Sequence, residues 1–165
     1  MSRRLRATIA TGVVCSTALL AVACGSSQGN TTRAVSAVRP LPRVITSVGK
    51  SVTTANGNAV TVTTYTAAAG SAASSGPTEA AAAHISACSG AHETQVDPRV
   101  FRVLFANRQV IDADTASPQR LPSLHLTVLA PHRCTDGWVT FDVPKGSTPA
   151  YVVMTGSSLV GWRIP

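Results

Sequence analysis

Cys134-Thr135-Asp136-Gly137-Trp138-Val139-Thr140-Phe141-Asp142-Val143-Pro144-Lys145-Gly146 is the stretch on which the fold turns. Val139, Phe141 and Val143 alternate with Trp138, Thr140 and Asp142, the period of a strand with one buried face. Asp136-Gly137 reads as a turn before that strand, with Gly137 allowing a tight entry. Pro144 ends the strand, because proline offers no ladder donor. Trp138 faces opposite to Val139, toward the outer surface or an edge.

The same alternation recurs outward along the chain. Val60 and Val62 alternate with Thr61 and Thr63 in a segment ending near Tyr65. Phe101, Val103 and Phe105 fall on one face, and Leu124, Leu126 and Val128 alternate with His125 and Thr127. Tyr151–Met154 is a short apolar run, and Leu159–Ile164 closes the series. Turn formers separate these segments at Asn56-Gly57-Asn58, Asp97-Pro98, Ser117-Pro118 and Pro144-Lys145-Gly146. Ala80–Ala83 favours helix by propensity, yet Gly76-Pro77 before it and Cys88 after it suit a strand. Many short strands with frequent turns predict an all-β, immunoglobulin-like β-sandwich, in which two sheets bury their inner faces against each other.

The N-terminus has a different character. Arg3, Arg4 and Arg6 form a basic start, and Ala7–Ala23 follows without a charge, ending in Leu19-Leu20-Ala21-Val22-Ala23-Cys24. A basic start, an apolar stretch and small residues before a cleavage point make residues 1–23 a signal peptide. The stretch around Cys24 resembles the lipobox of bacterial lipoproteins, with Ala21 where leucine is commoner. That resemblance implies cleavage after Ala23 and a diacylglyceryl group on Cys24. Two acyl chains anchor stably where one does not, so the implied location is the outer face of the cytoplasmic membrane. Residues 24–40 read as a flexible tether with a reach of roughly 22 Å, and residues 41–165 as the folded domain. Ala67–Pro77, small and polar, reads as a second flexible connection.

Charge and cysteine usage narrow the function. Net charge is +7 over 165 residues, but five of the basic residues precede residue 41. Nine basic and seven acidic residues follow, with no cluster to neutralise several phosphates, so a nucleic-acid partner is not expected. Cys88 and Cys134, 46 residues apart, are the remaining pair in the mature chain, and a pair in an exported protein reads as a disulfide. Their spacing to His132 does not suit a metal site.

The segment beginning at Cys134 and reading C-x-x-G-W-V-x-F-x-V-P-x-G resembles small actinobacterial lipoproteins. These belong to a Gram-positive family of immunoglobulin-like extracellular domains of unknown function, related in fold to the telokin-like secreted antigens of mycobacteria. Gly57–Val62, Ala87-Cys88-Ser89-Gly90 and Trp162 fit the same family, and the likeness covers roughly residues 41–165. It implies the Cys88–Cys134 bridge and the sandwich, and it implies no catalytic residues.

Enzyme signatures are absent from the sequence: there is no G-x-S-x-G, H-E-x-x-H or P-loop. Asp112 and Asp114 read as solvating a loop, His125 as a surface residue on the polar side of its strand, and His92-Glu93 as a solvated turn. His84, His92, His125 and His132 share no ligand spacing. The expectation is a non-catalytic envelope module without cofactor or metal, in a binding or accessory role, its ligand and ligand site unspecified, with an envelope protein, a glycan or a small ligand as the candidate partner. An envelope enzyme or metal carrier is the alternative. Cys24→Ser should release the protein or leave it as an unprocessed precursor in fractionated cells; a mature, membrane-bound form would contradict the lipid anchor.

Overall fold

The computed structural model describes residues 41–67, 76–115, 120–156 and 159–165. The signal peptide, Cys24, the tether and most of the Ala67–Pro77 connection lie outside them. The described residues belong to one compact unit.

Eleven strands form among the described residues. They are β1 (Val44–Ser47), β2 (Ser51–Thr53), β3 (Ala59–Thr66), β4 (Thr78–Cys88), β5 (Thr94–Val96), β6 (Phe101–Leu104), β7 (Val110–Asp112), β8 (Thr127–Leu129), β9 (Cys134–Pro144), β10 (Tyr151–Met154) and β11 (Val160–Arg163). A five-stranded sheet runs β1-β11-β10-β6-β7, a four-stranded sheet runs β2-β3-β4-β9, and β5 pairs with β8 alone. The chain is thus an immunoglobulin-like β-sandwich.

The longest ladder joins β4 to β9, 11 residues each, unbroken from Cys88 opposite Cys134 to Thr78 opposite Pro144. Ala80–Ala83 lies inside it as strand: all four pair with β9 and Ala82 and Ala83 also with β3, which overrides alanine's helical preference. Ala81, Ala83, Ile85 and Ala87 face inward from β4, as do Val139, Phe141 and Val143 from β9. They share one core with Phe101, Val103, Val152, Val160 and Trp162 of the other sheet. Small alanines beside Phe101, Phe141 and Trp162 let the two faces interdigitate at close packing.

Trp162 has no exposed surface. Its indole N–H donates to the Lys50 carbonyl at 2.9 Å, giving the buried ring its one polar group a partner. Lys50 lies in the corner where the chain passes from β1 to β2 and so between sheets. The Val48 N–H donates to Arg163 of one sheet and the Gly49 N–H to Val62 of the other. Gly49 takes a φ of +88° there, which a side chain would resist.

Three expectations need correction. Asp136-Gly137 is no turn, because both residues lie within β9. Leu124–Val128 is not one alternating strand. Leu124 is buried, Leu126 and Val128 are 54% and 58% exposed, and only Thr127–Leu129 is strand. The preceding residues are diverted onto the edge of β9, where Ser123 pairs with Trp138 in parallel. Asp114 does not solvate a loop; it is buried, and its N–H donates to the Thr140 carbonyl at 2.7 Å.

Tyr65, one residue before the end of β3, has a buried hydroxyl with no hydrogen-bond partner among the described residues. Burial, and then the negative charge of Glu79, push its pKa up to about 12. In the unfolded chain the phenol ionises near pH 10. Above that pH the unfolded state loses a proton that the folded state keeps, so the stability carried by this group falls as pH rises through about 12. Phenolate absorbance should therefore show one tyrosine titrating late in the native protein. Tyr65→Phe should remove that late phase and soften the alkaline loss of stability; titration of every tyrosine near pH 10 would contradict the burial.

Candidate functional site: a cavity at the edge of β9

The edge of β9 not paired with β4 is closed by two crossing segments. Asp114 pairs with Thr140, and residues 122–124 run alongside Trp138. The Leu124 N–H donates to the Trp138 carbonyl at 2.9 Å, and the Trp138 N–H to the Pro122 carbonyl at 2.8 Å. Gly137 makes this approach feasible. A Cβ at that position would lie 2.6 Å from the Leu124 nitrogen and 2.8 Å from its Cα. The glycine serves close backbone packing, not the tight turn that sequence reasoning assigned it.

Between these segments and the turn after β5 lies a cavity of about 310 Å³, within the size of small-ligand sites. Asp97 and Arg99 form one wall. Asp97 caps the short 3₁₀ turn Pro98–Val100 by accepting from the Arg99 N–H at 2.9 Å. The Arg99 guanidinium also donates to the Asp97 carboxylate, at 2.9 Å from Nε and 2.7 Å from Nη2. These hydrogen bonds hold the Asp97 carboxyl below its ordinary pKa and raise that of Arg99. The pair is thus a fixed, oriented dipole at the cavity mouth. Thr115, Ser123, His125 and Leu126 line the other side, with Trp138 and Thr140 of β9 between them. Ser123 is buried, and its Oγ lies 3.1 Å from His125 Nε2.

Trp138 joins the cavity to the outer face of the four-stranded sheet. The Arg120 guanidinium carbon sits 3.8 Å from its ring centroid, within cation–π range. His84, directly opposite on β4, meets the ring edge-on at 4.9 Å between centroids. The His84 ring is held at both nitrogens: Nδ1 lies 2.9 Å from Thr63 Oγ1, and Nε2 lies 3.1 Å from Asp136. Thr63 reaches it because β3 shifts register between Val62 and Thr64. Cys88 and Cys134 close the same face. Their disulfide links directly opposite residues of neighbouring strands, with Cα atoms 4.0 Å apart.

The structure therefore brings His84 to Asp136 and Trp138, which lie far along the chain from it. His125 is exposed, but it lines the cavity instead of a strand's polar face. Asp112 pairs with Arg102 across β6 and β7. His92 and His132 are exposed in turns. Among the described residues, no three His, Cys, Asp or Glu side chains gather to hold a metal. Cys24 lies outside the described residues. Ser123 carried no sequence signal, because its role comes from a parallel bridge to a strand encoded fifteen residues later.

No family model matches this chain, and no curated protein matches it in sequence. Two solved structures share its architecture. In fold the chain is similar to MPT63. That secreted protein from Mycobacterium tuberculosis superposes with a TM-score of 0.62 at 13% identity, over 76% of this chain and 100% of its own. A candidate lipoprotein of Bacillus subtilis, YcdA, superposes with a TM-score of 0.52 at 14% identity, over 65% of this chain and 36% of its own. At such identities the likeness is one of fold.

Gly137→Ala should lower stability by about 1–3 kcal/mol, the usual effect of overpacking, measured by chemical denaturation. It should also expose the amides of Leu124 and Trp138 to faster hydrogen exchange. Unchanged stability and exchange would mean that residues 122–124 do not cross the β9 edge this closely.

Proposed function

We propose that this protein is a non-catalytic, lipid-anchored module of the cell envelope that binds an envelope protein or glycan at the β9-edge cavity. The Cys88–Cys134 disulfide carries the reading of the compartment. Cys134 is exposed and Cys88 half-buried, and an accessible disulfide of this kind persists only in oxidising surroundings. The basic and apolar leader before Cys24 supports export and anchoring, and the lipobox likeness supports lipidation. The motif around Gly137-Trp138 supports kinship with small actinobacterial lipoproteins. The fold shared with a secreted protein and a candidate lipoprotein agrees with that location.

Binding is favoured by what surrounds the cavity. Fixed polar groups line it, and Leu121, Leu126 and Val128, at 77%, 54% and 58% exposure, lie on the segment that closes it. Polar groups at the centre with exposed apolar side chains nearby suit recognition by loops on a rigid scaffold. One observation favours an enzyme instead: the buried Ser123 hydroxyl beside His125, the beginnings of a nucleophile and base. The described residues give His125 no carboxylate partner to orient it, which is why binding is preferred.

Two measurements test the proposal. Mass spectrometry of the native membrane fraction should find a diacylglyceryl mass on Cys24, and an unmodified Cys24 would overturn the anchor. Cross-linking from the cavity rim in envelope preparations should capture one protein or glycan, and Leu126→Asp should abolish that capture. Labelling of Ser123 by a fluorophosphonate, lost in Ser123→Ala, would establish the enzyme reading in its place.

A further inference from the structure

All seven acidic side chains of the chain lie between Glu79 and Asp142. Residues 41–66 and 151–165 therefore contain no Asp or Glu, while carrying Arg43, Lys50 and Arg163. These residues build β1, β2, β3, β10 and β11, so the two acid-free segments are also one contiguous side of the sandwich. All three cations are exposed.

The same side holds a second anomaly. Among the described residues β1 is the outermost strand of the five-stranded sheet and pairs with β11 alone. Leu41, Val44 and Ile45, in and just before it, are 50%, 44% and 44% exposed. Ile45 and Ser47 oppose Gly161 and Arg163 in the parallel register. Ile45 and Arg163 therefore lie on the same outer face. Large apolar side chains on an open strand edge normally invite another chain and are blunted by charge. Here the flanking charge is of one sign only.

We infer that the β1 edge docks on the anionic surface of the bilayer, with Leu41 and Ile45 entering the headgroup boundary and Arg43, Lys50 and Arg163 pairing with lipid phosphates. The combination of apolar insertion with cationic attraction is that of interfacial binding. The position in the chain fits, since Leu41 follows Cys24 by only 17 residues. A flexible chain of that length has a root-mean-square span of roughly 22 Å, so an anchored cysteine would leave this entry side near the membrane. Docking would hold the cavity-bearing module in a fixed attitude to the membrane, where the tether alone would let it tumble.

This inference rests on the anchored reading for its setting, but its test does not use the anchor. Among the described residues both core clusters lie between Val48 and Ile164, so the test uses the chain from residue 24 onward carrying Cys24→Ser. It should sediment with mixed phosphatidylglycerol–phosphatidylcholine vesicles and not with phosphatidylcholine alone. Binding should fall about fivefold for each of Arg43→Gln, Lys50→Gln and Arg163→Gln, the worth of one charge at such a surface. It should vanish in about 0.5 M salt, where charges are screened beyond a few ångströms. Ile45→Ser should weaken it at least about tenfold, with the melting temperature of each variant checked against the parent. Equal binding to neutral vesicles, or no binding to either, would overturn the inference. So would self-association through β1, seen as a salt-insensitive dimer that Ile45→Asp dissolves. Loss of the anchor would appear separately, as an unmodified Cys24 in the native protein.

Discussion

The pairing of β4 with β9 is the constraint on which the rest of the structure depends. It is the longest ladder among the described residues, and the Cys88–Cys134 disulfide fastens one end of it. Cross-linking two residues 46 apart removes much of the freedom of the unfolded chain. The chain-entropy model puts that stabilisation at roughly 4 kcal/mol, a large share of the stability of an ordinary domain. The bridge also fixes register, because every opposed pair from Cys88–Cys134 to Thr78–Pro144 follows in unbroken order. A slip of one residue would turn Phe141 and Val143 outward and Trp138 inward.

That register places the chemistry. It sets His84 against Trp138 and Ser86 against Asp136 on the outer face, while Ala81, Ala83 and Ile85 line the core. On its other edge β9 accepts two crossing segments, and one glycine decides how close they come. The cavity with its Ser123–His125 pair follows from that approach. At the opposite side of the sandwich the hydrogen bond from Trp162 to Lys50 ties the corner between sheets to the core. Thus the bridge, Gly137 and Trp162 position the ladder, the cavity wall and the corner respectively.

Much of this was legible in sequence where local pattern and tertiary structure agree. The inward alternation of Val139, Phe141 and Val143, the outward Trp138, the strand at Ala80–Ala83 and the turn at Pro144-Lys145-Gly146 all stand in the structure. Cys88 ends one strand and Cys134 begins its neighbour, so the cysteines sit where strand ends meet. The failures share a cause. Asp136-Gly137 and Leu124–Val128 were read from local composition, yet each is governed by a non-local approach, residues 122–124 against β9. The same approach hid the cavity, and Asp114 was buried by pairing that no period-two pattern announces. Segregation of acidic residues away from both chain-terminal strand groups was visible in the sequence, but it has spatial meaning only once β1, β10 and β11 are known to be neighbours.

The central claim is that an accessible disulfide locks the β4–β9 ladder of a protein built for an oxidising compartment. Its most direct test is thermal unfolding of the purified native protein with and without reductant, alongside mass spectrometry of its peptides. The account predicts one cross-linked species joining Cys88 to Cys134, and a melting temperature lowered by about 10 °C or more after reduction, given a few degrees per kcal/mol in a domain of this size. Free thiols at both cysteines in the native protein, or a melting curve indifferent to reductant, would contradict it.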